Sequence, residues 1–217
     1  RLWYEVCPAL GDWLSIDEYR HKYQEALDFP SRANDFKVYS LNMPCDSTDR
    51  WMNSALWGAC KADFKASDLL DGVAIGGLDI APVNDLSSFV LIFPDGDKLK
   101  VLQWSWLNKE TLNERTNNEY IPWKEWKEKG YIKETPGNTT CIKTIAADII
   151  EICKKYRVKK IVADQMHAFE TAQILQDAGI KVEWFRPYFQ YMGPPTAKLE
   201  KMVLEKTIQH NGDELLT

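Results

Sequence analysis

One run of residues restricts what this chain can fold into more than any other: VAIGGLDIAPVNDLSSFVLIFPDGD, residues 73–97. Val73, Ala74, Ile75 and Leu78 form a short apolar strand, Gly76 and Gly77 keep its backbone uncluttered, and Asp79 interrupts it where a core residue would be expected. An unpaired carboxylate is costly to bury, so Asp79 is expected to face a cation or a cleft. Ala81, Pro82 and Asn84 read as a turn with Asp85 on the same loop. Leu86 to Phe93 resumes as a β-rich strand, and Pro94 to Asp97 folds it back into a hairpin.

The same logic returns in VKKIVADQMHAF, residues 158–169, where Ile161 and Val162 deliver Asp164 to a strand end. A helix is expected from Ala168 to Ala178, ended by Gly179, then a strand from Ile180 to Phe185. Gly193, Pro194 and Pro195 read as a break before a helix over 196–206. Ahead of the second acid, Ile142, Ile145, Ala146, Ile149, Cys153 and Tyr156 recur at helical spacing. Three hairpin-type strands followed by βαβ units imply an α/β fold with a mixed sheet and helices on its faces. Residues 107–138 are long, polar and tryptophan-bearing, with PWKEWKEKGY predicting one short helix ended by Gly130. Trp123 and Trp126 read there as packing anchors, with base stacking as the alternative.

Near the start, Ser15 to Glu18 is an S-x-x-E capping box opening a helix to about Asp28, with Pro30 ending it. A second helix is expected over 32–41, a linker over 42–49, an amphipathic segment over 51–60, and a domain boundary near 64–71.

Composition narrows the class. With 217 residues and 45% hydrophobic content the chain can bury one good core with a smaller element beside it. No stretch approaches the eighteen apolar residues of a membrane span. The five cysteines, Cys7, Cys45, Cys60, Cys141 and Cys153, are scattered without a CxxC pair, which implies a reducing interior and no structural zinc. Cys153 falls on an apolar helix face and reads as packing. A net charge of −5 argues against polyanion binding unless cations gather locally. Lys154, Lys155, Arg157, Lys159 and Lys160 do gather, as do Lys198, Lys201 and Lys206, though a solvated helix face is the simpler reading of each cluster.

If the first strand pairs beside the Ile161 strand, Asp79 and Asp164 emerge together at about 4.8 Å strand spacing. Two carboxylates without His or Cys beside them suit Mg²⁺ or Mn²⁺ rather than zinc. Paired ions about 3.5–4 Å apart can activate water and stabilise the leaving oxygen in phosphodiester hydrolysis, with Asp85 as an outer ligand or water-orienting group. On spacing alone a blander reading stands beside this one: Asp79 caps a turn and Asp164 caps the following helix. His167 could touch a phosphate but reads more simply as a first-turn histidine satisfied by a neighbour. His210 and Asp213 are assigned no chemistry.

Taken in order, CPALGDWLSIDEY, EALDFPSRANDF, Leu41 with Asn42, the Trp51, Trp57 and Cys60 run, GGLDIAPVNDL, the hairpin, WKEWKEKGYIKETPGN, VADQMHAF and the final helix resemble the large terminase subunit of tailed bacteriophages, the DNA-packaging motor. The resemblance covers nearly the whole chain. It implies a ribonuclease-H-like mixed sheet flanked by helices and preceded by a small helical linker region. Residues 1–64 would be the helical end of the ATPase domain and its linker, and 65–217 the nuclease domain, with its last part lying beyond Thr217. Residue by residue, it makes Asp79 the first metal-binding acid, Asp85 the accessory acid and Asp164 the second metal-binding acid. A third acid is expected downstream of Thr217, Asp213 lying too early to serve, and the family's usual aspartate near Cys141 is missing.

The implied activity is a metal-dependent endonuclease, using two Mg²⁺ or Mn²⁺ ions, that cuts concatemeric double-stranded viral DNA. The implied partners are that DNA, a small terminase subunit, the portal protein of the procapsid and further copies in a motor ring, in the cytoplasm of a bacterial host and with no membrane. ATP is expected only of the family's N-terminal ATPase half, since no G-x-x-x-x-G-K-[ST] loop occurs in these residues. Two alternatives remain: a non-catalytic DNA-binding or assembly module of the motor, and an actin-like nucleotide phosphotransferase. The latter needs a glycine-rich phosphate turn that IAPVNDLS lacks.

Overall fold

Ser15 accepts a hydrogen bond from the Asp17 amide at 3.2 Å and so starts the helix its spacing predicts. The computed structural model describes residues 2–28, 36–43, 52, 54–119 and 121–216, in two units, Arg1–Asn53 and Ser54–Thr217. The first unit holds α1 (Leu2–Val6), α2 (Ile16–Asp28) and a π-helical turn, Phe36–Ser40. Leu10, Tyr19 and Phe36 are buried at its centre, with Trp3 against Tyr19 at 5.1 Å between ring centroids. The helix expected over 32–41 falls partly outside the described residues, and its described part is the π-helical turn. Pro30, Trp51 and residues 44–49 of the expected linker also lie outside them.

The second unit opens with α3 (Ser54–Gly58), shorter than the amphipathic segment expected over 51–60. The division at Ser54, ahead of the expected 64–71, has a physical cause. Residues 57–62 are tied to the chain's last turn: the Trp57 indole donates to the Leu216 carbonyl at 2.7 Å, and the Ala62 amide donates to the His210 carbonyl at 2.9 Å. His210 is fully buried, stacks on Trp57 at 4.8 Å, sits 3.0 Å from the Trp57 carbonyl through Nε2 and accepts the Gly212 amide at Nδ1. Its role is structural.

The sheet is built from β1 (Val73–Asp79), β2 (Ser87–Asp95) and β3 (Lys98–Asn108) as an antiparallel meander. Its two-residue loop has Gly96 at φ +60, as a hairpin of this length demands of its first position. The insertion contains more than the single expected helix: α4 (Lys109–Asn118), α5 (Trp123–Glu128) and β4 (Ile132–Thr135). Asn108 starts α4 by accepting the Thr111 amide at 2.9 Å. Trp123 is buried, its indole donates to Glu119 at 2.7 Å, and Arg115 lies 4.9 Å over its ring, so it is the packing anchor expected.

After α6 (Ile142–Lys155) come β5 (Arg157–Asp164), α7 (Gln165–Asp177), β6 (Val182–Phe185), α8 (Phe189–Leu204) and β7 (Ile208–His210). Strand order is β4-β3-β2-β1-β5-β6, with β7 on the outer edge of β3 below β4. α7 begins three residues before the expected Ala168, because Asp164 caps it, and ends as expected at Gly179, whose φ is +83. The amides of Gly179 and Ile180 return to Gln176 and Leu175, closing a Schellman turn. The expected break at Gly193, Pro194 and Pro195 is absent. α8 starts at Phe189, in a turn closed by the Tyr191 and Met192 amides on the Tyr188 carbonyl, and continues through both prolines. Proline's fixed φ is itself helical, so the loss is confined to two backbone donors and crowding of the preceding turn.

One sheet face is dry. Ala74, Leu78, Phe89, Leu91, Ile161 and Ala163 pack under α6 and α7. On the other face Ile75, Gly77, Val90 and Val162 stay partly exposed, and this half-open floor leads to the strand ends. Among the described residues no helix is long and apolar enough to cross a membrane.

Candidate metal centre

β1 and β5 are parallel neighbours, with Gly77 opposite Val162 and Leu78 opposite Ala163. The next residue on each strand is an aspartate. Because side chains alternate across a sheet, Asp79 and Asp164 fall on the half-open face, a strand spacing of about 4.8 Å apart. Both line a cleft of about 530 Å³, with Ser88, Val90 and Phe185 in its walls.

Asp164 combines the two readings its position allows. One carboxylate oxygen accepts the Met166 amide at 3.2 Å, capping α7, while the same side chain lines the cleft. The cap restrains its rotamer and leaves acceptor capacity toward the cleft. Asp79 is exposed and sits opposite Ser88 on β2. Ser88 Oγ lies 3.3 Å from Ser105 Oγ, which accepts from the Gln103 amide group at 2.9 Å, so the wall beside Asp79 is polar and uncharged. The loop leaving Asp79 is pinned by Ser87, whose hydroxyl accepts the Ala81 amide at 3.1 Å, and by Thr140, whose hydroxyl donates to the Ala81 carbonyl.

Asp85 does not join the pair. Its side chain is 78% exposed, accepts the Leu86 amide at 2.8 Å and lies 3.9 Å from Arg115 of α4, outside the cleft lining. His167 is exposed on the first turn of α7 and does not line the cleft. Cys141 stands at the start of α6, 3.1 Å from the Thr144 hydroxyl, and hydrogen bonding to Thr144 pulls its thiol below the usual range. Asp213 is buried near the end of the chain and accepts the Leu215 amide at 2.8 Å; burial pushes its carboxyl up. Among the described residues no group of three or more His, Cys, Asp or Glu side chains is arranged to hold a metal ion.

Of the expected basic clusters, Lys154 pairs with Glu151, Lys160 with Glu183 and Lys201 with Glu205, so part of that charge is spent within the fold. Ser88 and Phe185 escaped the sequence reading. The alternation of Ser88 with Val90, opposite Asp79 in the hairpin, is the signal that could have found the first.

The family described as "Terminase large subunit, endonuclease domain" matches residues 1–217. The large terminase subunit of Enterobacteria phage HK97 is 25% identical over 218 residues, an alignment covering 99% of this chain and 43% of that protein. The crystal structure of the HK97 large terminase overlaps with a TM-score of 0.69 at 24% identity, across 99% of this chain and 45% of that one. The large terminase nuclease of the thermophilic phage G20c overlaps with a TM-score of 0.45 at 13% identity, over 71% of this chain and 64% of its own. The chain thus spans less than half the length of the HK97 protein it matches.

Proposed function

The chain belongs to the family of terminase large-subunit endonuclease domains, with a ribonuclease-H-like mixed sheet flanked by helices, and from that premise we propose that its β1–β5 cleft hydrolyses phosphodiester bonds in concatemeric double-stranded viral DNA. The observation that carries this reading is the meeting of Asp79 and Asp164 at the shared end of two parallel strands, inside one cleft. An all-oxygen donor set of this kind fits Mg²⁺ or Mn²⁺. Asp79 and Asp164 would hold the ions, and Asp85, free of the cleft wall, would orient water or neighbouring groups from the loop. When bound, such a pair of ions supplies an activated water and charge stabilisation at the leaving oxygen.

The chain's own residues define the rest. The α7 cap fixes Asp164, the Ser87 and Thr140 hydrogen bonds fix the loop behind Asp79, and the half-open apolar floor leaves a phosphodiester backbone room to approach. In the same reading residues 1–64 are the helical end of an ATPase domain with its linker, and ATP turnover belongs to that separate domain. Partners are a small terminase subunit, the portal of a procapsid and further copies in a motor ring, in a bacterial host's cytoplasm.

A second reading, a non-catalytic DNA-binding or assembly module, is favoured by one observation: no third acid joins the pair among the described residues. Plasmid cleavage separates the two. Supercoiled plasmid should be nicked with Mn²⁺ or Mg²⁺ and left intact in EDTA. Asp79→Asn and Asp164→Asn should each abolish nicking while leaving the circular dichroism spectrum unchanged, since asparagine also serves as a helix cap at position 164. Cutting that survives both substitutions would overturn the assignment. Mn²⁺ binding without any nicking would favour the second reading.

A further inference from the structure

A second cleft, of about 500 Å³, begins where the first one ends, sharing Asp164, Phe185 and Pro187 with it. Its walls are of another chemistry. Trp184, Arg186 and Tyr188 line it, and Met166 joins them from the first turn of α7. Phe169 lies parallel to Trp184, with planes 9° apart and centroids at 6.3 Å. These side chains are exposed: Trp184 39%, Phe169 60%, Tyr188 62% and Met166 77%, with Phe189, next to Tyr188 in the chain, at 94%. Scattered single exposures need no explanation, but exposed aromatic side chains gathered in the wall of one cleft, Trp184 and Tyr188, with Phe169 against Trp184, mark an interaction site. Arg186 is exposed in the middle of it and makes no ion pair among the described residues.

We propose that this surface is a stacking platform for unpaired nucleobases of the DNA strand whose backbone enters the Asp79–Asp164 cleft. The proposal rests on the nuclease reading of that cleft and deepens it, by naming the form of DNA the site holds next to the cut. Three observations select this occupant. The two clefts share Asp164, Phe185 and Pro187, so a strand lying across the acids has a continuous surface leading to the rings. Flat aromatic faces joined by one free guanidinium match the alternation of base faces and phosphates along a single strand. Bases inside an intact duplex present only their edges, so exposed ring faces serve strands whose bases have come unstacked. The platform would hold the strand next to the scissile phosphate and keep it from re-pairing.

The test measures binding in EDTA, where no cutting occurs, using a single-stranded oligonucleotide of about 12 residues carrying 2-aminopurine and the same sequence as a blunt duplex. The protein is compared with Trp184→Ala and with Tyr188→Ala/Phe189→Ala, whose exposed positions can be truncated without disturbing the core. The wild type should quench 2-aminopurine in the single strand. Each variant should weaken single-strand binding about fivefold or more, given the usual worth of one base–aromatic stack, and change duplex binding by less than about twofold. Phe189→Trp alone should keep the wild-type affinity. Equal weakening of single strand and duplex, or no change in either, would overturn the platform. So would loss of a wild-type dimer in sedimentation of the variants with DNA binding untouched, because the patch would then be a contact between copies. Normal stacking in a protein that never nicks plasmid would sink the nuclease reading alone, whereas normal nicking without stacking would sink only this proposal.

Discussion

Gly76 and Gly77 are adjacent in β1, yet substituting alanine at each should give opposite results. Gly76 points into the dry side of the sheet, where an added Cβ would meet Phe89 Cε2 at 2.8 Å and Ile161 Cγ1 at 3.0 Å. Carbon atoms are comfortable at about 3.5 Å or more, so the Phe89 ring would have to retreat by roughly 0.7 Å. It has nowhere to go: Phe89 and Ile161 are both fully buried, and the ring is already 6.0 Å from Trp104. Overpacking of this kind costs about 1–3 kcal/mol. For a chain of this size that is a loss of roughly 2–12 °C in melting temperature. Gly77 faces the half-open side, and a Cβ there meets nothing within 4 Å. Gly77→Ala should leave stability unchanged or raise it slightly, since glycine is entropically costly in a strand. Urea unfolding followed by tryptophan fluorescence compares the two variants with wild type. Equal midpoints, or a Gly77→Ala variant less stable than Gly76→Ala, would refute the packing argument and with it the facing assigned to β1. Because Gly76 sits on the β1–β5 ladder that aligns the two acids, its substitution should also lower plasmid nicking in proportion to the distortion, a second readout of the same clash.

Alkylation should distinguish the cysteines by environment. Cys141, its thiol lowered by hydrogen bonding to Thr144, should react with iodoacetamide at pH 8 well before Cys153, which burial pushes up to about 11, and peptide mapping that found Cys153 labelled as fast would contradict its packing on α6. Glu183 is held down to about 2 by hydrogen bonds first from Lys160 and then from Lys181, at 2.5 and 2.7 Å. Its folded-state value is depressed, so its stabilising contribution is fully present above the ordinary glutamate range near 4.5 and is lost as pH falls from there towards 2. Glu183→Gln should therefore flatten the acid limb of the urea-midpoint profile between pH 5 and 2, and an unchanged limb would show the ion triad to be idle.

Much of the sheet could be read from residue pattern. β1, β2 and β5 are apolar runs ended by acids or turn residues, α6 carries a clean apolar stripe, and the glycines at 96, 130 and 179 mark ends that positive φ confirms. Elements whose stability comes from elsewhere were opaque. α4 is polar almost throughout and is held by its Asn108 cap and by Leu112 in the Trp123 cluster. β4 and β7 are four and three residues long, and each exists only because the long β3 offers it an edge. The prolines of α8 imitate a break because a local rule cannot see that Phe189 has already started the turn. At the site, the acids at 79 and 164 were legible because each violates an apolar run at its end. Asp85 shares the loop but is turned outward by the Leu86 amide and Arg115, an orientation that chain spacing does not encode.

The two acids lie more than a third of the chain apart, and the strands that carry them are parallel neighbours. A hairpin of β1 and β2 can close early and locally, but it carries Asp79 alone. Asp164 arrives only when β3, the insertion and α6 have been laid down and β5 has docked, a long loop closure among the slower steps of folding. A half-made chain therefore cannot assemble the acid pair. Under the proposed function, that order would keep the pair from acting on the nucleic acids around the ribosome while the chain is still being made.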